Sequence, residues 1–281
     1  MFEGLATMGT IAAACVLGIA SAARAESRMA QSGAATIECL VAGSGPAVLM
    51  IPSLGRPARD FDDLSSRLVA AGYATIRPQP RGVGASRGPM DGLTLRDMAA
   101  DALACAPAAA GPIVVVGHAY GQRVARMLAA AHPERVRGVV MLAAGGKAPM
   151  KPGAQEALLA VFDTSLSPEM HIEAVRTAFF APGNDPAVWR DGWRGDVAKM
   201  QTAATRATKL EDWWGGGAAP ILVVQGLQDA VAVPENGRML QEKFGPRVTL
   251  REIDGAGHAM LPEQPQKIAD FILAWLADLP K

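Results

Sequence analysis

Cysteine, aromatic residues and any excess of charge are scarce in this sequence: its 281 residues include 3 Cys, 5% aromatics, and 27 basic side chains against 27 acidic ones. A zero balance with no run of like charges leaves no basic stripe to neutralise phosphates, which argues against a nucleic-acid partner. Cys15, Cys39 and Cys105 lie too far apart for metal-ligand spacing, so no metal is expected. Phosphate-binding loops are missing as well. No G-x-x-x-x-G-K-[ST] occurs, and Gly82-Val83-Gly84 lacks the third glycine of a dinucleotide fingerprint, so no cofactor is expected. Beyond residue 25 no apolar run approaches the roughly 20 residues of a membrane-spanning helix. With 30 Gly and 20 Pro the chain is not of low complexity, and 19% charged with 50% hydrophobic residues implies a substantial core.

What is present begins with residues 11–20, an apolar run that leads into Ala23-Arg24-Ala25, an A-x-A cleavage signature. Residues 1–25 therefore read as a secretory signal, although residues 1–10 carry no Lys or Arg, and a periplasmic or secreted location is expected. Cys39 and Cys105 then remain. They read as small buried hydrophobes in preference to a disulfide, because their separation in space is not legible from sequence.

Short β-branched or apolar runs at 35–41, 48–51, 73–76, 113–116, 136–142, 221–224 and 248–253 read as strands. Between them 61–71, 95–106, 120–131, 235–244 and 265–276 have helical length and period. The alternation predicts an α/β fold with a mostly parallel sheet. It breaks over about 146–219, too long for an ordinary crossover, which predicts a helical cap inserted into a single domain spanning 26–281. The stretch carries Phe179, Phe180, Trp189, Trp193, Trp213 and Trp214. Most of these are expected to pack the cap, with one or two facing a pocket.

The most informative segment is Ile113-Val114-Val115-Val116-Gly117-His118-Ala119-Tyr120-Gly121. An apolar strand runs into two glycines flanking a three-residue turn, then a helix, which is the frame of a nucleophile elbow. Here the sequence resembles the α/β-hydrolase fold family, and the resemblance covers nearly the whole chain after residue 25. The family's elbow reads G-x-S-x-G, and Ala119 stands at the serine position, so a serine acyl-enzyme cannot form there. Gly226-Leu227-Gln228-Asp229 and Gly255-Ala256-Gly257-His258 resemble the family's acid and histidine loops, in the family's chain order. The resemblance implies that Asp229 orients His258.

Pro52-Ser53-Leu54-Gly55-Arg56 occupies the family's oxyanion loop without its usual His-Gly, which implies Leu54 and Tyr120 as backbone donors and leaves Ser53 a remote substitute nucleophile. Gln79-Pro80-Arg81-Gly82-Val83-Gly84-Ala85-Ser86 resembles the family's Asp-x-Arg-Gly-x-Gly-x-Ser loop with Gln in place of Asp. Arg56, Arg81 and Arg123 are structural or meet an anionic substrate. His118 reads as structural, His132 ends a helix, and His171 has no visible partner.

Three readings of Ala119 stand side by side. A catalytic serine was mutated; or alanine is natural and His258 drives water onto a small ester, thioester or lactone; or the protein binds a small carbonyl compound without chemistry. Departures at the oxyanion loop, Gln79 and Gln122 accompany Ala119 and favour the natural alanine.

Overall fold

The computed structural model describes residues 25–279, so the signal assigned to 1–25 lies outside the described residues except for Ala25. Among the described residues eight strands form one sheet: β1 (Glu26–Ser32), β2 (Ala35–Ala42), β3 (Ala47–Ile51), β4 (Ala74–Pro78), β5 (Ile113–His118), β6 (Val136–Leu142), β7 (Ile221–Gly226) and β8 (Val248–Ile253). Their order across the sheet is β1-β2-β4-β3-β5-β6-β7-β8. Only β1 and β2 run antiparallel to their neighbours, and β4 onward through β8 are parallel. The central strands β3, β5 and β7 are buried at every position, as parallel strands covered on both faces must be.

Helices α1 (Asp62–Ala70), α2 (Leu95–Ala104), α3 (Tyr120–Ala131), α8 (Glu235–Phe244) and α10 (Pro265–Asp278) cover the sheet. Because successive strand residues point to opposite faces, each strand feeds two cores. Leu49, Ile51, Ile113 and Val115 meet α2 and α3 on one face, while Val48, Met50, Val114 and Val116 meet α1 and α10 on the other. Between β6 and β7 the chain passes through α4 (Ala154–Ala160), α5 (Pro168–Phe179), α6 (Gly195–Arg206) and α7 (Leu210–Trp213). A third apolar cluster, with Val161, Val175, Phe179 and Trp189, joins this stretch to Ala259 just before α9 (Met260–Glu263). Among the described residues no helix is long and apolar enough to cross a membrane.

Strand β1 is absent from the sequence reading. Its sequence, ESRMAQS, has no apolar alternation, because as an exposed edge strand it buries almost nothing; its register comes from the two-residue turn after Ser32, with Gly33 at φ 55°.

The cysteines correct the reading above. Cys39 and Cys105 form a disulfide, with Cα atoms 5.6 Å apart across 66 residues of chain. Cys39 lies on β2 and Cys105 caps the end of α2, so the packing of α2 on the antiparallel edge of the sheet brings together two residues that nothing in the local sequence links. Closing a loop of this length restricts the unfolded chain. Cys39→Ala with Cys105→Ala is expected to lower stability by up to about 4 kcal/mol in urea denaturation, while Cys39 and Cys105 of the oxidised wild type resist thiol alkylation until they are reduced.

Candidate active site

The site is built on the carboxyl edge of the sheet, where β5 turns into α3. Ala119 sits in this turn at φ 50°, ψ −109°, a left-handed conformation that an L-residue with a Cβ adopts only under constraint. The flanking glycines supply that constraint. A Cβ on Gly121 would stand 2.1 Å from the carbonyl oxygen of Ile51, and one on Gly117 would stand 2.4 Å from that of Gly121. Residues without side chains let the start of α3 press against the backbone leaving β3. The Ala119 N–H is fixed to the Leu142 carbonyl of β6 at 2.9 Å.

The same contact sets a pair of backbone donors. Strands β3 and β5 are neighbours with Ile51 opposite Gly117, so Leu54 and Tyr120 each lie three residues beyond paired positions. Tyr120 opens α3, where the helix offers its N–H no acceptor, and the Leu54 N–H likewise has none among the described residues. Ser53 is buried, and among the described residues no hydrogen bond joins it to His258.

Asp229 follows β7 and His258 follows β8, and the structure brings them together. His258 Nδ1 lies 2.9 Å from Asp229 Oδ2 and 3.1 Å from Oδ1, with Asp229 fully buried. Asp229 Oδ1 also accepts the N–H groups of Val231 at 2.9 Å and Ala232 at 2.7 Å. A carboxylate held this way orients the imidazole with Nδ1–H toward it and leaves the lone pair on Nε2. The loop before His258 is fixed by a residue that the sequence reading missed. Glu263, pushed above the usual carboxyl range by burial, accepts from Gly257 N, Ala181 N and Asn184 Nδ2, each at 2.7 Å. Its only sequence signal is its position five residues after His258.

His118 has the structural role expected of it. Its Nε2–H donates to the His258 carbonyl at 2.8 Å, while its Nδ1 is buried without a partner. Burial, with the His258 and Arg56 charges, lowers its pKa to about 3. His132 caps the end of α3. His171 does have a partner: its Nε2 lies 3.0 Å from the Arg190 carbonyl oxygen.

Cap side chains close over this floor. The Phe179 ring lies 5.6 Å from His258, and Trp189 lies 5.9 Å from His118. The loop after β3 is tied to the same α4–α7 stretch, because Gly55 N donates to Gln201 Oε1 at 2.8 Å and Gly55 O accepts Arg194 N at 3.0 Å. Arg56 is structural: it forks onto Asp60 at 2.8 and 2.9 Å, donates to the Asp191 carbonyl, and stacks on Trp189 and Trp193. Arg81 is bound to both oxygens of Asp101 at 2.6 and 2.9 Å, and Gln79 takes up the Ala58 N–H through its side chain. Of the three arginines only Arg123 has no acidic partner among the described residues. No group of three or more potential metal ligands occurs among the described residues.

Residues 48–271 match the model of the alpha/beta hydrolase family, and the chain belongs to that family. RutD of Variovorax paradoxus, whose name assigns it carbamate hydrolysis, is 29% identical over 235 residues, 76% of this chain and 85% of its own. Two solved esterases share the fold. That of Thermogutta terrifontis superposes with a TM-score of 0.75 at 21% identity, covering 91% of this chain and 100% of the esterase; that of Exiguobacterium antarcticum gives 0.75 at 20%, covering 89% and 99%.

The His118 ring yields a stability prediction. An unfolded chain protonates it below about pH 6.5, whereas the folded chain resists until about pH 3, so its contribution is present above the upper value and is lost as pH falls through the interval. Between about pH 7 and about pH 4.5, wild type should lose about 3 kcal/mol more than His118→Gln in urea denaturation.

Proposed function

We propose that the protein hydrolyses a small ester, thioester or lactone, with His258 as general base on water, Asp229 as its orienting partner, and the N–H groups of Leu54 and Tyr120 as the oxyanion hole. The observation that carries this reading is the coexistence of a fully bonded His258–Asp229 pair with a strained elbow whose residue 119 is a methyl group. Nothing at Ala119 can attack a carbonyl, so the nucleophile comes from solvent. His258 Nε2 removes a proton as water adds to the carbonyl carbon, and the developing oxyanion takes hydrogen bonds from the two backbone donors. Collapse of the tetrahedral species breaks the bond to the leaving group, which receives the proton from His258. Asp229 stabilises the imidazolium in between.

Without a covalent intermediate the barrier is not divided, so activated carbonyls suit the site better than simple amides. Family membership and the hydrolase named among the relatives support the reaction class. The disulfide supports the periplasmic or secreted location in this proposal, since such bonds persist in oxidising compartments.

The test is hydrolysis of 4-nitrophenyl acetate by wild type, His258→Gln and Ala119→Ser. Wild type should turn over, His258→Gln should lose at least about a hundredfold in kcat/KM, and Ala119→Ser should exceed wild type. Equal rates in wild type and His258→Gln would overturn the proposal. Binding of a carbonyl compound with no turnover by wild type would favour a binding protein.

A further inference from the structure

Beside the elbow lies a second concentration of polar side chains, one-sided in charge and in hydrogen-bonding capacity. Arg123 and Arg126 come from α3, Trp213 and Trp214 from the end of α7, and Lys147 from the loop after β6. Arg126 is fully buried, with its guanidinium 4.6 Å from the ring centres of both tryptophans. Its bonds go only to backbone carbonyls, those of Trp214 at 3.3 Å and Gly145 at 3.1 Å. The guanidinium of Arg123 lies 5.8 Å from Trp213, and Lys147 Nζ lies 4.8 Å from Trp214.

Five donors are buried here without an acceptor: Nε of Arg123, Nε of Arg126, both indole N–H groups and the Tyr120 hydroxyl. Against them stand among the described residues only Gln122 Oε1 and the Tyr120 oxygen itself, which can accept as well as donate, too few for all five. Among the described residues no carboxylate pairs with any of the three cations, and Asp101, whose charge reaches Tyr120, is already forked onto Arg81. Burial lowers both guanidinium groups from their ordinary value, and the charge of Arg123 adds to the effect on Arg126.

Buried cations are normally matched by an anion, and a planar fork with surrounding N–H and O–H donors suits an acceptor-only, planar group. We infer that this cluster is a subsite for the carboxylate of an anionic substrate whose reacting carbonyl lies at Ala119. The inference rests on the hydrolytic reading for the carbonyl end and on the cluster alone for the carboxylate. Tyr120 directly follows Ala119, and Arg123 and Arg126 lie about 4.5 and 9 Å further along the helix axis. A half-ester of a short dicarboxylic acid spans that interval. Its hydrolysis consumes one water and releases the alcohol and the dicarboxylate.

Two measurements test the subsite. Tryptophan fluorescence of the wild type should change saturably with glutarate at millimolar concentration and should not change with neutral glutaramide. Arg123→Met should abolish the response and Arg123→Lys should weaken it, with thermal melts showing both variants folded. Monomethyl glutarate should be preferred over dimethyl glutarate, and the ratio of their kcat/KM values should fall at least tenfold in Arg123→Met. A glutarate response that needs Arg123 supports the subsite even where neither ester is cleaved, in which case the hydrolytic reading alone fails. No response to glutarate, an equal response to glutaramide, an undiminished response in Arg123→Met, or a response to inorganic phosphate alone would overturn it.

Discussion

The architecture of the site depends on one turn held in an unfavourable backbone conformation. Ala119 at positive φ is costly by roughly 1–3 kcal/mol, and it persists because Gly117 and Gly121 allow α3 to close against β3. That closure sets Tyr120 N–H and Leu54 N–H each three residues beyond a paired position of the adjacent strands β3 and β5 and places α3 beside α7. The scaffold of the turn therefore stands with no hydroxyl at residue 119. The His258–Asp229 pair belongs to other parts of the chain, after β7 and β8, and the Tyr120 N–H is a backbone group that no side chain at residue 119 supplies.

The cap is joined to this floor from two sides. On one, Gln201 and Arg194 hold Gly55 while Asp191, Trp189 and Trp193 hold Arg56, so the loop after β3 and the α4–α7 stretch share a hydrogen-bonded seam. On the other, Ala259 N donates to the Phe179 carbonyl, and Glu263 gathers Ala181 and Asn184 together with Gly257. His118 connects the two, its Nε2–H donating to the His258 carbonyl and its ring lying 5.9 Å from that of Trp189. A movement of the α4–α7 stretch would consequently be felt at the loop of residues 54–56 and at the histidine together.

Much of this was legible in the sequence, for reasons that can be stated residue by residue. The buried parallel strands announce themselves as apolar runs, and Gly117-x-x-x-Gly121 after such a run has few structural meanings other than a sharp strand-to-helix turn. Asp229 and His258 follow their strands at positions the family resemblance marks. Features that depend on long-range packing were not legible: the polar edge strand β1, the Cys39–Cys105 bond, and the bracing of His258 by Glu263. Arg56 and Arg123 look alike in sequence. Only the fold shows that the first is paired with Asp60 and the second lies beside the Trp213 indole with no acid partner among the described residues.

Rapid-quench mass spectrometry during turnover of an activated ester separates the proposed attack by water from attack by a side chain. With water as nucleophile no acyl adduct forms on the wild-type chain at any time, and in the Ala119→Ser variant an adduct is confined to residue 119. An acyl group trapped on wild-type Ser53, or on any other side chain at a rate matching turnover, would contradict it.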